Sequence, residues 1–190
     1  MRGHAYTLRP VALADAPFIV GLRGTAGRFL NRGAASEAEQ RAWIERYFTR
    51  ADDYYFVVER NADGTPEGLV GLYDVDRDQR AAEWGRFVLR PGSRAAIEAA
   101  LLIYRCGFDC LDLDRVYCRT LADNAQVVAF HDSCGLARTV APMLIQHNGE
   151  EATAIEHVLQ RDKWPGVNAR LERLAARLAT PMGPAVKSGG

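Results

Sequence analysis

The sequence has no excess of charge of either sign, which excludes one broad class of function. Lysine plus arginine total 24 and aspartate plus glutamate total 24 among 190 residues, so the formal net charge at pH 7 is zero. Proteins that bind nucleic acids in general usually carry a basic excess or a basic stripe. General nucleic-acid binding is therefore not expected, although the composition leaves room for a local basic groove that holds an anionic cofactor.

Long apolar runs and cysteine pairs are also missing. No run reaches the roughly 18 residues that a membrane span needs, and the first residues lead into a strand-like segment without a signal-peptide core. The four cysteines show no C-x-x-C spacing, and Cys106 and Cys110 have no second pair with which to hold zinc. We therefore expect a reduced, cytoplasmic protein without membrane association or a metal site.

The remaining composition is typical of one globular domain. Hydrophobic residues make up 48% and charged residues 25% of the chain, near the averages for such domains. A domain of this length can bury a full core without staples. The pattern predicts a main domain over residues 1–165, a C-terminal surface helix over 166–179 and a flexible tail over 180–190.

The periodicity of apolar residues predicts the element order β, α, α, β, β, β, α, β, α, β, β. Asp15 is placed to cap the first helix, and Ser36 with Glu39 fits a capping box before the second. The turn at 147–150 predicts a hairpin. Antiparallel strands followed by a β-α-β unit indicate an α/β (α+β) fold, with a mixed, mostly antiparallel sheet of about seven strands and helices on both faces.

A strand, a turn of small residues and a long helix follow one another over residues 82–97. The backbone N–H groups of such a turn, together with the helix dipole, favour an anion at the helix N-terminus. Arg90 and Arg94 flank the turn and could neutralise a phosphate. The pattern predicts a phosphate site, with an ordinary crossover and solvated arginines as the alternative.

A second motif begins at Asn124. Val127, Phe130 and Gly135 stand three, six and eleven residues after it, and Leu136 follows. This run resembles the C-terminal motif of the GNAT superfamily of acyl-CoA N-acyltransferases, with Leu136 in place of the usual phenylalanine.

The resemblance extends over most of the chain, because the run over 113–123 and the order of elements over 6–160 are also similar to the family. It implies a GNAT-like fold and acyl-CoA, either acetyl-CoA or a longer acyl-CoA, as the cofactor. It also implies an opening between the strand at 82–89 and the strand at 115–121, in which the pantetheine arm of CoA lies.

The same resemblance implies which residues hold the cofactor. Pantetheine would pair with the backbone of Val88 and Arg90 and reach Asn124, while the pyrophosphate would lie on the amides of the turn. The residues assigned to the cofactor are Val88, Arg90, Gly92, Ser93, Arg94, Ala95, Ala96, Asn124 and Phe130. The turn departs from the family in lacking two spaced glycines, which leaves open whether plain acetyl-CoA is the donor.

Two residues are candidates for proton transfer. Many family members carry a tyrosine seven residues after the asparagine, placed to protonate the departing thiolate, and this chain has His131 there. An imidazole with a pKa near ~6.5 can donate a proton at neutral pH. Glu83 lies on a central strand where family members often hold a glutamate that accepts the proton of the amine. The alternatives are a histidine that only packs and a glutamate that faces solvent.

The acceptor side is represented by Arg23, Arg28 and Asn31, which lie in the loop after the first helix. Arginines there could hold a phosphate or carboxylate of the substrate. Over a few side chains, this third of the sequence resembles acyltransferases of amino-sugar and natural-product pathways. A solvated loop is the alternative.

These observations predict an N-acyltransferase that moves an acyl group from acyl-CoA to a primary amine of a small molecule, by direct attack in a ternary complex. One alternative keeps the fold but takes the acyl group from an acyl carrier protein or an aminoacyl-tRNA. Another is a non-catalytic, CoA-binding regulatory protein. The hairpin within residues 140–160 is a candidate edge for a homodimer. The amine acceptor, the acyl group, the donor and the oligomeric state stay open.

Overall fold

The computed structural model describes residues 1–25 and 27–180. Its strands are β1 (Tyr6–Pro10), β2 (Tyr54–Arg60), β3 (Pro66–Asp76), β4 (Ala81–Leu89), β5 (Arg115–Leu121), β6 (Ala137–Arg138), β7 (Met143–His147) and β8 (Glu150–Gln160). Its α-helices are α1 (Ala16–Thr25), α2 (Glu37–Tyr47), α3 (Ala96–Arg105), α4 (Ala125–Cys134) and α5 (Trp164–Ala179). In the described part of the chain, no helix is long and apolar enough to cross a membrane.

One sheet holds all of these strands, in the order β1-β2-β3-β4-β5-β8-β6, with β7 also paired to β8. Among the described strands, the β4–β5 pair alone is parallel, and the other pairs are antiparallel. The prediction of a mixed, mostly antiparallel sheet is confirmed. The strand beyond the predicted seven is β6, which has two residues and is too short to show a period.

Helices cover both faces of the sheet, as predicted. On one face, α3 and α5 pack against a large apolar cluster that includes Trp84, Tyr104 and Phe108. On the other face, α1 and α2 enclose a smaller cluster around Ile19, Ile44 and Tyr55. Side chains of successive strand residues point to opposite faces, and the central strands β2, β3 and β4 contribute to both clusters.

The C-terminal helix belongs to the larger cluster through Trp164, Leu171 and Ala175. Its first residue is Trp164, so the predicted boundary after residue 165 falls inside a helix that is docked on α3. Within the predicted tail, residues 181–190 lie outside the described residues.

The two predicted helix caps had different outcomes. The Ser36 hydroxyl accepts a hydrogen bond from the Glu39 N–H (3.2 Å), while the Glu39 carboxylate accepts one from the Ala35 N–H (2.9 Å). Asp15, in contrast, does not cap α1. It lies in a 3₁₀ turn before the helix, and its carboxylate accepts from the Ala12 N–H and from the Arg9 guanidinium. The direction of this carboxylate therefore depends on Arg9, a cation that the helix-capping pattern does not include.

The centre of the sheet opens between its two parallel strands. β4 and β5 pair over only three positions, Ala81 to Glu83 against Arg115 to Tyr117, although β4 continues to Leu89. The register of β4 against β3 also shifts between Leu69 and Gly71. Arg86 lies at this irregularity with a φ of 50°. A bulge of this kind bends the strand and re-aims its side chains, and here it lies where β4 separates from β5.

Candidate active site

Helix α4 faces the partly buried second half of β4 across the opening. The ring centroids of Phe87 and Phe130 are 6.3 Å apart, and those of Trp84 and His131 are 5.3 Å apart in an edge-to-face arrangement. Phe130, predicted to belong to the cofactor site, therefore lies beside the bulged half of β4. The opening has an aromatic wall on the side of α3 and α4.

Glu83 occupies the last position at which β4 and β5 still pair, opposite Tyr117 of β5. The residue is 8% exposed, which excludes the alternative of a solvent-facing glutamate. The Tyr73 hydroxyl donates to Oε1 (3.2 Å) and the Arg119 guanidinium donates to Oε2 (2.9 Å). Burial raises the pKa of Glu83 above its ordinary value, and the cation of Arg119 opposes this effect only in part. A carboxylate with a raised pKa is a stronger base than an ordinary one.

Sequence reasoning missed both partners of Glu83. Tyr73 stands opposite Glu83 in the β3–β4 ladder, and its ring passes over Gly85, where a Cβ would lie 2.4 Å from the phenol oxygen. Only glycine permits this approach. Arg119 also holds Glu156 (3.2 Å), so it links the base to β8. The register of the predicted hairpin could have identified Tyr73, but the position of Arg119 depends on how β5 diverges.

His131 lies on the opposite face of the sheet from Glu83, and the two side chains do not contact each other. It is 3% exposed and packs beside His157, whose ring centroid is 5.2 Å away. Burial, reinforced by the neighbouring His157, lowers the pKa of His131 to about 4. The imidazole is therefore neutral at pH 7. The sequence-based expectation of an ordinary histidine that donates its proton as an imidazolium is wrong on this point, because the aromatic surroundings desolvate the ring.

The turn before α3 folds around Pro91 and Gly92. The Ser93 N–H donates to the Arg90 carbonyl (3.0 Å), and Gly92 has a φ of 78°, as the third position of a type II turn requires. The Ala95 N–H donates to the Ser93 hydroxyl (3.3 Å). The amides of Ser93 and Ala95 thus have partners inside the turn. Free amides for an anion remain in the first turn of α3, which begins at Ala96 and whose N–H groups have no intrahelical acceptor.

Two further cofactor assignments need correction. The Arg90 N–H donates to the Glu67 carbonyl (2.8 Å), and Val88 stands opposite Leu69 two positions earlier in the same ladder. Because backbone groups alternate in direction along an antiparallel strand, the amides of Val88 and Arg90 both face β3. The backbone N–H and carbonyl groups of Leu89 face the opening instead. These two assignments were implied by the family resemblance, and the register of β4 against β3 does not fit them.

The other residues assigned to the cofactor lie around this turn and at the start of α4. Arg90 and Arg94 are exposed beside it, whereas the Ala95 side chain is fully buried in the core. Asn124 is the N-cap of α4, and its side-chain oxygen accepts from the Val127 N–H (3.4 Å). Its amide nitrogen is left for other partners, so a capping role and a role in binding are compatible.

A cavity of about 630 Å³ lies between α2, the bulge of β4 and the loop after α1. It contains two of the three predicted acceptor residues, Arg23 and Asn31. The Arg23 guanidinium donates to the Asn31 carbonyl (2.6 Å). We call this cavity the arginine pocket. Its walls are formed by Arg23, Asn31, Arg32, Gly33, Ala34, Glu39, Gln40, Trp43, Arg46, Arg50, Tyr55, Tyr73, Asp74 and Arg86.

Arg28 does not belong to the arginine pocket. It pairs with Asp123 (2.7 Å) and lines a separate cavity of about 530 Å³ beside the β7–β8 hairpin. The sequence places Arg28 in the same loop as Arg23, but a 3₁₀ turn over Gly27–Phe29 separates the two side chains. The structure therefore does not bring Arg28 and Arg23 together in one cavity.

The arginine pocket reaches the candidate base through Tyr73, which lines the pocket and donates to Glu83. Sequence reasoning missed most of its walls. Trp43 and Arg46 stand three residues apart in α2, and this spacing could have placed them on one helical face. Arg50 lies beyond the end of the helix. Arg86 could not have been found in this way, because its direction depends on the bulge.

A sheet that opens between its two parallel strands, with a helix N-terminus on one side and a buried carboxylate in the opening, defines a GNAT-type fold. The family model "Acetyltransferase (GNAT) domain" matches residues 6–137, more than half of the chain. The chain therefore belongs to the GNAT acetyltransferases and is an acyltransferase enzyme of that superfamily.

Solved structures agree with this assignment. The apo form of FdhC, described as a nucleotide-linked sugar GNAT, is 26% identical, with a TM-score of 0.78 over 92% of this chain and 97% of that chain. A variant of spermidine N-acetyltransferase SpeG from Vibrio cholerae is 20% identical, with a TM-score of 0.74 over 85% of this chain and 97% of that chain. The second similarity concerns the fold alone. No curated protein matches the chain by sequence.

Proposed function

We propose that this enzyme transfers an acyl group from acyl-CoA to a primary amine of a small molecule. The observation that carries the proposal is the position of Glu83. It is a buried carboxylate with a raised pKa, at the point where β4 and β5 separate. A large cavity reaches it through Tyr73.

The residues of the opening fit CoA. The free amides of the first turn of α3 and the exposed Arg90 and Arg94 suit its phosphates. The backbone of Leu89 and the ring of Phe130 flank the path of the pantetheine arm. Acyl-CoA supplies an activated thioester, whose acyl group passes to the amine while the thiolate leaves.

The chain's own part in the reaction begins with Glu83. An ammonium group cannot attack a carbonyl carbon, so the amine must lose a proton first or during attack. Glu83 accepts this proton, directly or through one water molecule. Tyr73 and Arg119 hold one carboxylate oxygen each, so they orient the base.

His131 takes a different role from the one predicted. A neutral imidazole holds its N–H proton firmly, so it stabilises negative charge by donating a hydrogen bond rather than by giving up a proton. We propose that His131 offers such a hydrogen bond in the opening, beside Trp84 and Phe130. Its Nδ1 atom is buried without a partner among the described residues.

A direct test combines binding with turnover. Purified protein should melt at a higher temperature with millimolar CoA, since a ligand at ~100 times its Kd adds about 2.7 kcal/mol to stability. With acetyl-CoA and a panel of primary amines, release of free thiol should depend on both substrates. A melting shift without turnover on any amine would favour the CoA-binding regulator. The absence of both would favour a carrier-protein or aminoacyl-tRNA donor.

A further inference from the structure

We infer that the arginine pocket selects an acceptor whose amine is accompanied by a phosphate-type anionic group, with Tyr55 and Arg46 among the groups that bind it. This inference rests on the proposed function, because it names the class of acceptor for the same site. FdhC is described as acting on nucleotide-linked sugars, but the inference depends on the contents of the pocket.

The charges of the pocket are unbalanced. Five arginines line it against two carboxylates, those of Glu39 and Asp74. Asp53, behind the wall, forms a two-point ion pair with Arg86 (2.5 and 2.9 Å) and a longer contact with Arg50 (3.5 Å). The pocket therefore retains a positive excess after these pairs are counted.

Three of the five arginines have no carboxylate partner in the described part of the chain, namely Arg23, Arg32 and Arg46. Most arginines outside the pocket have a carboxylate partner, so the arginines without one are concentrated in the pocket. Planar guanidinium groups match phosphate oxygens in pairs of hydrogen bonds. A polycation such as spermidine would meet repulsion here.

Tyr55 gives an independent indication of a ligand. It lines the pocket, and its residue is 2% exposed, yet its hydroxyl has no hydrogen-bond partner among the described residues. A buried hydroxyl without a partner is costly unless a ligand or water satisfies it. Arg23 lies beside this hydroxyl and opposes the rise that burial causes in the pKa of Tyr55, but its guanidinium does not reach the hydroxyl in hydrogen-bonding geometry. The hydroxyl and a cation therefore face the same space.

The size and position of the pocket suit a molecule larger than an isolated anion. Its volume of about 630 Å³ lies within the range of ~300–1,000 Å³ that is common for small-molecule sites. The arginines line the walls while Tyr73 leads to Glu83. An acceptor can therefore place its anionic group among the arginines and its amine toward the base.

Binding can be measured without acyl transfer. CoA is present throughout, so that it occupies the free amides of α3 and the neighbouring Arg90 and Arg94. Glucose 6-phosphate and uridine diphosphate are then titrated into the full chain by calorimetry, with glucose as the uncharged control. At least one phosphate probe should bind tenfold or more tightly than glucose, and added salt should weaken that binding. The two probes distinguish a sugar monophosphate from a nucleotide diphosphate as the source of the group.

Matched variants locate the binding. Arg46→Gln and Tyr55→Phe should each weaken the phosphate probe about tenfold or more. Arg41→Gln, on the same helix but paired with Glu37 (3.0 Å) outside the pocket, should leave affinity unchanged. Tyr55→Phe should not lower the melting temperature, because the hydroxyl that it removes has no hydrogen-bond partner among the described residues. Unchanged affinity in both pocket variants, or no preference for phosphate over glucose, would overturn the inference.

Turnover separates this inference from the proposed function. Glucosamine 6-phosphate should be acetylated with at least a tenfold higher kcat/KM than glucosamine or spermidine. Equal rates on all three amines would overturn the inference and leave the acyl-transfer proposal standing. Tight phosphate binding without acylation of any amine would leave the inference standing and overturn the acyl-transfer proposal.

Discussion

The carboxylate of Glu83 is subject to two opposing effects that mutation can separate. Burial raises its pKa and the cation of Arg119 lowers it. Because the base acts only when ionised, kcat/KM should fall as the pH drops through this raised pKa. Arg119→Gln removes the opposing cation, so the acid limb should move to higher pH. A purely structural Arg119 would lower the rate at every pH without moving that limb.

Glu83→Gln keeps the shape of the side chain but cannot accept a proton. The rate should fall about 100-fold or more at the pH optimum, and the acid limb due to Glu83 should disappear. Stopped-flow detection of the released thiol provides the measurement. Tyr73→Phe is the milder companion, since it removes one of two hydrogen bonds to the carboxylate. A loss below about threefold in Glu83→Gln would mean that another group accepts the proton.

His131 should make folding sensitive to acid. Its folded-state pKa is about 4 and the unfolded value is near ~6.5, so between these values the unfolded chain binds more protons and stability falls as pH drops. At pH 5 this linkage removes about 2 kcal/mol. Urea titrations at pH 7 and pH 5 should show the loss in the wild type and a smaller one in His131→Phe. His147→Gln, at a partly exposed histidine away from this cluster, serves as the control. An equal loss in His131→Phe would locate the sensitivity elsewhere.

At the scale of elements, periodicity was sufficient for most helices and strands but not for the direction of each side chain in the site. The two-residue period placed Glu83 correctly on its strand. The family resemblance, and not the period, assigned the backbone of Val88 and Arg90 to the cofactor, but beyond the bulge at Arg86 the amides of both residues face β3. The burial of His131 depends on Trp84 and His157, which come from distant strands, so no local pattern could predict its lowered pKa.

The N-terminus of α3 offers a test in which stability and binding should change in opposite directions. Ala95 cannot be used, because its side chain is buried in the core, but Ala96 is partly exposed at the first helical position. An aspartate there interacts favourably with the helix dipole and unfavourably with the phosphates of CoA. Ala96→Asp should therefore weaken CoA binding without lowering the melting temperature. Ala96→Asn is the neutral control, and equal affinities in the two variants would place the phosphates elsewhere.

At the scale of the whole molecule, the C-terminal helix tests whether the chain unfolds as one unit. Leu171 of α5 is fully buried in the cluster that also holds Trp84 and Tyr104, and Arg105 of α3 binds Glu172 (2.7 Å). Leu171→Ala should lower the free energy of unfolding by about 2–5 kcal/mol, whereas Leu178→Ala, at a residue 39% exposed, should have a small effect.

Because α5 packs on the same cluster as the aromatic wall of the site, far-ultraviolet and near-ultraviolet circular dichroism should report one coincident transition in both variants. The tryptophans that give the near-ultraviolet signal lie on both faces of the sheet, with Trp43 on one and Trp84 and Trp164 on the other. Loss of α5 helicity before the aromatic signal changes would mean that the helix is a separate surface element, as the sequence pattern over 166–179 suggested. A single transition whose midpoint temperature is lower in Leu171→Ala would mean that the packing of α5 stabilises the site, although α5 lies on the face of the sheet opposite Glu83.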